Sequence, residues 1–129
     1  MKDFMSKDLQ TLTRGEEEVM QILWQLGEAS VAQIIEHIQE PKPKYTTVAT
    51  FIKILENKGF VAHRAEGRGF CYYAVVKKEE YASGVAKSLL DSYFGGSLSQ
   101  MVSFFGKKED ISVAEMDEIL EIVEQIKGK

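Results

Sequence analysis

The sequence predicts a mainly α-helical protein with one small β-hairpin. Between residues 13 and 58, apolar residues recur at the spacing of amphipathic helices in three consecutive segments. Residues 60–76 then become rich in aromatic and β-branched residues around a glycine-rich tip. Three helices followed by a β-hairpin is the order of a winged helix-turn-helix. Helical spacing returns from residue 77, so we expect two domains, residues 1–76 and a helical module at 77–129.

The first two helices each begin with a capping box, in which two side chains three residues apart satisfy free backbone amides. Thr13 and Glu16 form the first box, and Ser30 and Gln33 form the second. The inward stripes consist of Val19, Ile22, Leu23 and Leu26 in the first helix, and of Val31, Ile34, Ile35 and Ile38 in the second. Residues 1 to about 11 show no periodicity, and we expect them to be loosely ordered.

The third helix is predicted over residues 45–58, after a stiff connector that begins at Pro41 and ends the second helix. Its inward stripe is Val48, Phe51, Ile52 and Leu55, and its other face carries Thr46, Thr47, Thr50, Lys53 and Asn57. Because threonine is a mediocre helix former, three threonines on one exposed face indicate a role in recognition. An ordinary polar surface is the alternative.

The hairpin is predicted from two strand-like segments, residues 60–65 and 70–76. Residues 66–69 join them, and the glycines there supply unusual backbone angles. This tip is not a phosphate loop, because it lacks the lysine and the following helix of a Walker motif. The hairpin carries two arginines, Arg64 and Arg68.

Three short amphipathic helices are predicted after residue 77. The first spans 81–93 with Tyr81 on its apolar side, Ser97 caps the second, and Ser112-x-x-Glu115 opens the third. Three such helices bury little surface alone, so we expect a second copy of the module to cover them. Packing onto the first domain is the alternative. The predicted dimerisation residues are Val85, Leu89, Leu98, Met101, Val102, Phe105, Met116, Ile119, Leu120 and Val123.

Charge is unevenly distributed along the chain. The net charge of the chain is −4. Residues 41–75 hold six basic and two acidic residues, a net charge of +4, which leaves −8 for the remainder. A local positive field suits contact with phosphate even when the whole chain is acidic. The alternative is that these lysines only solvate a surface.

The sequence offers little for catalysis, a cofactor or a metal. His37 and His63 have no partners at the spacing of a triad or a metal site. Cys71 is the only cysteine, which excludes a disulfide framework and a thiolate-rich metal site. No apolar run approaches the ~18–20 residues of a membrane span, and the N-terminus lacks the apolar core of a signal peptide. We therefore expect a cytoplasmic protein with no enzymatic activity, cofactor, metal or membrane contact.

Duplex DNA is the partner that these features favour. Exposed side chains of a helix in the major groove can reach base edges, and most other contacts position the protein on phosphate. Threonines offer hydroxyl and methyl groups, and lysines and arginines offer donors to guanine, phosphate or the minor groove. The candidate DNA-binding residues are Lys42, Lys44, Thr46, Thr47, Thr50, Lys53, Arg64 and Arg68.

Short motifs recur in a fixed order from residue 12 to about residue 126. They are Leu12-Thr13-x-x-Glu16, Val19-Met20-x-Ile22-Leu23-Trp24, Val48-x-Thr50 with Leu55, Lys58-Gly59, Gly67-Arg68, Tyr72-Tyr73, Phe94-Gly95-Gly96-Ser97-Leu98 and Ile111-Ser112-x-x-Glu115. This ordered set resembles the BlaI/MecI family of penicillinase repressors. The resemblance implies an N-terminal winged helix, a C-terminal helical dimerisation module, and a homodimer that represses transcription from palindromic operators, commonly of β-lactam resistance genes.

The resemblance also implies a mode of release. In that family a membrane sensor-protease pathway leads to a cut at an Asn-Phe bond in the dimerisation module. The corresponding pair here is Phe104 and Phe105, so the asparagine is absent. A sensor-linked protease is the implied partner. Related copper-responsive repressors carry a C-terminal cysteine cluster, and this chain has no cysteine after Cys71.

The sequence thus favours a homodimeric repressor of antibiotic-resistance or stress genes, relieved by proteolysis of the dimerisation module. The alternative is a winged-helix protein–protein interaction module without sequence-specific DNA binding, since fold does not fix function. The acidic remainder of the chain gives this alternative some weight.

Overall fold

The computed structural model describes residues 11–127, apart from the side chain of Lys127. Residues 1 to about 11 were expected to be loosely ordered, and residues 1–10 of this segment lie outside the described residues. The elements in chain order are α1 (Arg14–Leu26), β1 (Glu28–Ala29), α2 (Val31–Glu36), α3 (Tyr45–Asn57), β2 (Val61–Glu66), β3 (Gly69–Ala74), α4 (Lys78–Tyr93), α5 (Leu98–Lys107) and α6 (Val113–Lys127). The predicted fold class, mainly helical with a hairpin after three helices, is confirmed.

Both predicted capping boxes are present at the starts of α1 and α2. The helix α2 is shorter than predicted, because its last turn tightens. The amides of His37 and Ile38 donate to carbonyls only three residues back, those of Ile34 and Ile35, each at 3.0 Å. Ile38 still packs into the core although it lies beyond the helix.

The sheet has three antiparallel strands in the order β1-β3-β2. The two-residue strand β1, paired with Tyr72 and Tyr73, was not predicted, because so short a strand shows no alternation. The hairpin strands lie within two residues of the predicted bounds, and Val61 pairs with Ala74 and Glu66 with Gly69. Gly67 adopts a φ of 62° in the resulting two-residue turn, a conformation that favours glycine.

A single core joins α1, α2, α3 and the sheet. Its fully buried members include Met20, Leu23, Ile34, Leu55 and Phe60. The helix α3 is clamped against the start of α1, where a Cβ at Gly15 would lie 2.4 Å from Cζ of Phe51. A larger residue at this position would require the ring of Phe51 to move.

Tyr81 also packs into this core, although its position in the sequence predicted that it belongs to the second module. Its ring centroid lies 5.6 Å from that of Phe60 and 6.0 Å from that of Trp24. Its hydroxyl accepts a hydrogen bond from the amide of Leu12 at 2.8 Å, and Trp24 Nε1 donates to the carbonyl of Val76 at 2.9 Å. The first compact unit therefore includes the start of α4 and extends to residue 85.

The second unit, residues 86–129, contains the end of α4 together with α5 and α6. Ser97 and Ser112 cap the starts of α5 and α6. Each hydroxyl accepts a hydrogen bond from a backbone amide at 3.1 Å. The rings of Phe94, Phe104 and Phe105 form a small edge-to-face cluster. Among residues 86–126 no side chain is fully buried, and Leu120 and Ile126 are 62% and 66% exposed. This unit leaves an apolar surface uncovered.

Candidate nucleic-acid interface

The helix α3 buries one face and exposes the other. Val48, Ile52 and Leu55 lie in the core, whereas Thr46, Thr47, Thr50 and Lys53 are exposed. Thr46, Thr50 and Lys53 follow the i, i+4, i+7 spacing and therefore share one face of the helix. We call these four exposed side chains, Thr46, Thr47, Thr50 and Lys53, the reader face.

One hydroxyl on the reader face is already used within the helix. Thr50 Oγ1 donates to the carbonyl of Thr46 at 2.8 Å. The hydroxyl oxygen keeps its acceptor capacity, and the methyl group stays exposed. Thr50 can therefore accept a hydrogen bond or contact an apolar group, but it does not offer a proton.

The start of α3 is unlike the starts of α1 and α2. Its N-cap residue is Lys44, and no side chain caps the free amides. A lysine at the positive end of a helix dipole is unfavourable in isolation. Within residues 11–127, no acceptor lies within hydrogen-bonding or ionic distance of the Lys44 or Lys53 ammonium groups. Both cations are thus free for an external anion.

Lys42, a predicted phosphate contact, turns back onto the protein. Its Nζ donates to the carbonyls of Ile35 and Glu36, each at 3.0 Å, and to that of Ile38. These carbonyls lie at and just beyond the end of α2. The structure therefore separates Lys42 from the exposed cations Lys44 and Lys53.

Arg64, a predicted hairpin contact, is paired with Glu28. The two guanidinium nitrogens donate to the two carboxylate oxygens at 2.8 and 3.0 Å. Because β1 and β2 are the two edge strands, this pair crosses the central strand above the buried Cys71. The hydrogen bond with Arg64 lowers the pKa of Glu28, and the same bond raises that of Arg64. Burial raises the pKa of Cys71, so it stays a neutral thiol.

The hairpin tip and the start of α3 border an open cleft of about 350 Å³. Arg68 lies in the turn at the tip, exposed and without an ionic partner among the described residues. Two aromatic side chains that the sequence analysis did not select also line the cleft, Tyr45 at 59% and Phe70 at 51% exposure. In the sequence, these two residues could be identified only by their position, because Tyr45 follows Lys44 at the helix start and Phe70 follows the hairpin tip.

Two contacts connect α3 to its neighbours at its C-terminal half. His63 Nδ1 of β2 is hydrogen-bonded to Glu56, and the imidazole packs against Phe70 and Tyr72 at centroid distances of 4.8 and 5.6 Å. Lys58 Nζ donates to Glu16 at 2.8 Å, which links the end of α3 to the capping box of α1. The C-terminal half of α3 is therefore held by both the hairpin and α1.

Glu16 is the buried charge in this arrangement. Burial raises its pKa, but the hydrogen bonds from Lys58 and from Thr13, together with the positive charge of Lys58, outweigh burial, so the pKa lies below its ordinary value. The carboxylate is ionised at neutral pH and carries both the capping box and the ion pair.

Two features are absent from the described part of the chain, a cluster of metal-ligating side chains and a membrane-spanning helix. Between residues 11 and 127, no three His, Cys, Asp or Glu side chains converge as a metal site would require. None of the described helices is both long and apolar enough to cross a membrane. His37 contacts the carbonyl of Gln33 at 3.0 Å, a local helix-end contact.

The comparisons with known proteins agree on one family. The model of the penicillinase repressor family matches residues 12–125. The methicillin resistance regulatory protein MecI of Staphylococcus aureus is 33% identical over 115 residues, covering 87% of this chain and 92% of that protein. The penicillinase repressor of Bacillus licheniformis is 27% identical over 126 residues, covering 95% and 97%. The crystal structure of YusO from Bacillus subtilis shares the fold at a TM-score of 0.55 and 16% identity, over 96% of this chain and 82% of that one.

These comparisons confirm the resemblance drawn from the ordered motifs. The family consists of transcriptional repressors, which bind DNA and catalyse no reaction, in agreement with the expectation that the chain is not an enzyme. The chain therefore belongs to the penicillinase repressor family and is a DNA-binding transcriptional repressor.

Proposed function

We propose that the chain acts as a homodimer in which each subunit places α3 in the major groove of one half of a palindromic operator. One observation carries the proposal: the threonines of the reader face are exposed beside three basic side chains, Lys44, Lys53 and Arg68, that have no partner within residues 11–127. Anions are favoured at the start of a helix, where Lys44 lies. The names of the relatives favour an antibiotic-resistance gene as the target.

The proposed contacts divide by chemistry. Lys44 and Arg68 would bind phosphate and set the position of the protein on the duplex. Thr46, Thr47 and Lys53 would reach base edges, where a lysine suits guanine O6 and N7. Thr50 would contact a thymine methyl or accept a hydrogen bond, because its hydroxyl already donates to the carbonyl of Thr46.

The hairpin β2–β3 would act as the wing. Its tip carries Arg68, and the cleft that borders the tip and the starts of α2 and α3 is lined by Tyr45 and Phe70 together with Glu66. Arg64 would reach DNA only by leaving Glu28. In this proposal Arg64 braces the wing in the free protein.

The second unit would supply the dimer contact. Of the residues predicted for it, Leu98 and Leu120 are the most exposed, and Val85 at the end of the first unit is 42% exposed. An open groove of about 900 Å³ is lined by Leu89 and four aromatic side chains on one part, and by Gln100, Ser103, Lys107 and Lys108 on the rest. A second copy would cover this groove. Because each half-site supplies part of the binding energy, joining two readers raises their effective concentration on the operator.

Proteolysis within α5 would reverse this assembly. The Phe104-Phe105 bond lies inside α5, with both side chains about 40% exposed on average. A protease would reach this bond after local unfolding of the helix. A cut there would remove α6 from the dimer contact and lower the affinity for DNA.

The test compares the full chain with a fragment ending at residue 85. Duplexes selected by the full chain from a random library should show dyad symmetry, with half-site centres about 10 base pairs or a multiple apart. Sedimentation should give a dimer for the full chain and a monomer for the fragment. A stable dimer of the fragment would contradict the dimer assignment. The alternative protein–protein module would show no salt-sensitive binding to random duplex at low salt.

A further inference from the structure

The ammonium group of Lys42 is fully occupied within the protein. A lysine ammonium has three N–H donors. Here they meet the carbonyls of Ile35 and Glu36 at 3.0 Å and that of Ile38. No donor is left for a phosphate while these bonds persist.

The end of α2 needs such a donor. The last carbonyls of a helix have no partner within it, and many helices satisfy them with a left-handed glycine cap. The helix α2 has six residues, and its C-cap is His37 at a φ of −95°, which is not left-handed. Among the described residues, Lys42 is the side chain that donates to the carbonyls of Glu36 and Ile38. It thus takes the place of a helix cap.

The start of α3 depends on this same connection. The helices α1 and α2 begin with capping boxes, but α3 begins at Lys44 with no side-chain cap. Lys42 lies two residues earlier, in the connector between α2 and α3. Holding the connector on the end of α2 therefore fixes where the first turn of α3 begins. That turn carries Thr46 and Thr47.

We propose that Lys42 is a positioning residue that fixes the first turn of α3 against α2 and makes no phosphate contact. The proposal rests on the proposed role of α3 as the reader helix. It separates Lys42 from Lys44, although the two lysines lie two residues apart and were predicted to have the same role.

The test uses Lys42→Met, which keeps the aliphatic stem but removes the donors, and Lys44→Met as the matched loss of one charge. Each is titrated with random-sequence duplex and with duplex selected by the wild type, over a range of salt. Lys44→Met should reduce the salt slope of binding by about 0.9 per subunit. Lys42→Met should leave the slope unchanged on both duplexes. It should weaken binding to the selected duplex by about two- to thirtyfold, the equivalent of one lost helix cap.

Two further measurements separate positioning from a general loss of stability. Titrations at a temperature where every variant is folded should show a lower preference for selected over random duplex in Lys42→Met, and Lys42→Arg should restore it. Hydrogen exchange of the Thr47 and Val48 amides, which bond to the Lys44 carbonyl at 3.0 and 3.3 Å, should be faster in Lys42→Met without DNA.

The outcomes distinguish this inference from the proposed function. A drop in slope for Lys42→Met equal to that for Lys44→Met would make Lys42 a phosphate contact and overturn the inference. Unchanged selectivity together with unchanged amide exchange would also overturn it. If Lys44→Met changed nothing, the reader surface would be wrong, and the exchange data would still decide the role of Lys42.

Discussion

Tyr81 gives the sharpest test of how the core is built. In Tyr81→Phe the ring stays against Phe60 and Trp24, but the amide of Leu12 loses its acceptor at a buried site. A buried donor left unsatisfied costs about 1–3 kcal/mol. In a domain of this size each kcal/mol lowers Tm by about 4–8 °C, so the first unit should lose at least about 4 °C. Tyr81→Ala, which also leaves a cavity, should cost about 3–5 kcal/mol.

The assay is urea unfolding followed by the fluorescence of Trp24, the only tryptophan, which lies in the same cluster. Tyr93→Phe is the matched control, because Tyr93 is 75% exposed. A fragment ending at residue 76 lacks Tyr81 and should be less stable than one ending at residue 85. Equal midpoints for wild type and Tyr81→Phe, or for the two fragments, would refute the assignment of Tyr81 to this core.

Three further predictions concern charge. With Lys44 and Arg68 of each subunit on phosphate, the log–log salt slope of dimer binding should be about −4, whereas a slope near −11 would mean that all six basic residues of residues 41–75 reach phosphate. Glu16→Gln keeps the capping box but loses the ion pair with Lys58, and should cost about 1.5–3 kcal/mol at pH 7 in urea unfolding. Because the folded pKa of Glu16 is lowered, the unfolded state binds more protons, so this cost should disappear as the pH falls below about 4. Arg64→Gln should leave the salt slope unchanged when Glu28 is present, because Arg64 is then paired with it. In the Glu28→Gln background Arg64 is released, and Arg64→Gln should lower the slope. If titrations of the four proteins gave the same change in both backgrounds, Arg64 would already bind DNA in the wild type.

Local patterns in the sequence were sufficient for the helices and for the exposed face of α3. The capping boxes at Thr13 and Ser30 join residues three apart, and the stripes follow a fixed period, so both can be read from a short window. The strand β1 could not be predicted from a short window, because it has only two residues, which show no period, and it pairs with a strand more than 40 residues later. Tyr81 fitted the apolar stripe of its own helix. Its place in the first core is shown only by contacts distant in sequence, such as the hydrogen bond that it accepts from Leu12, 69 residues earlier.

The internal contacts of the basic residues could not be predicted from a charge count for a related reason, and they show how α3 is held. The sequence assigned a window of six basic residues to one positive surface, but the structure uses three of them internally. Lys42 bonds to the end of α2 beside the start of α3, Lys58 bonds to Glu16 at the end of α3, and Arg64 bonds to Glu28 at the base of the hairpin. Each of these contacts fixes one border of the surface on which Lys44, Lys53 and Arg68 stay free. Because an anchored helix does not have to be ordered on binding, the internal cations would increase affinity through preorganisation, without touching DNA.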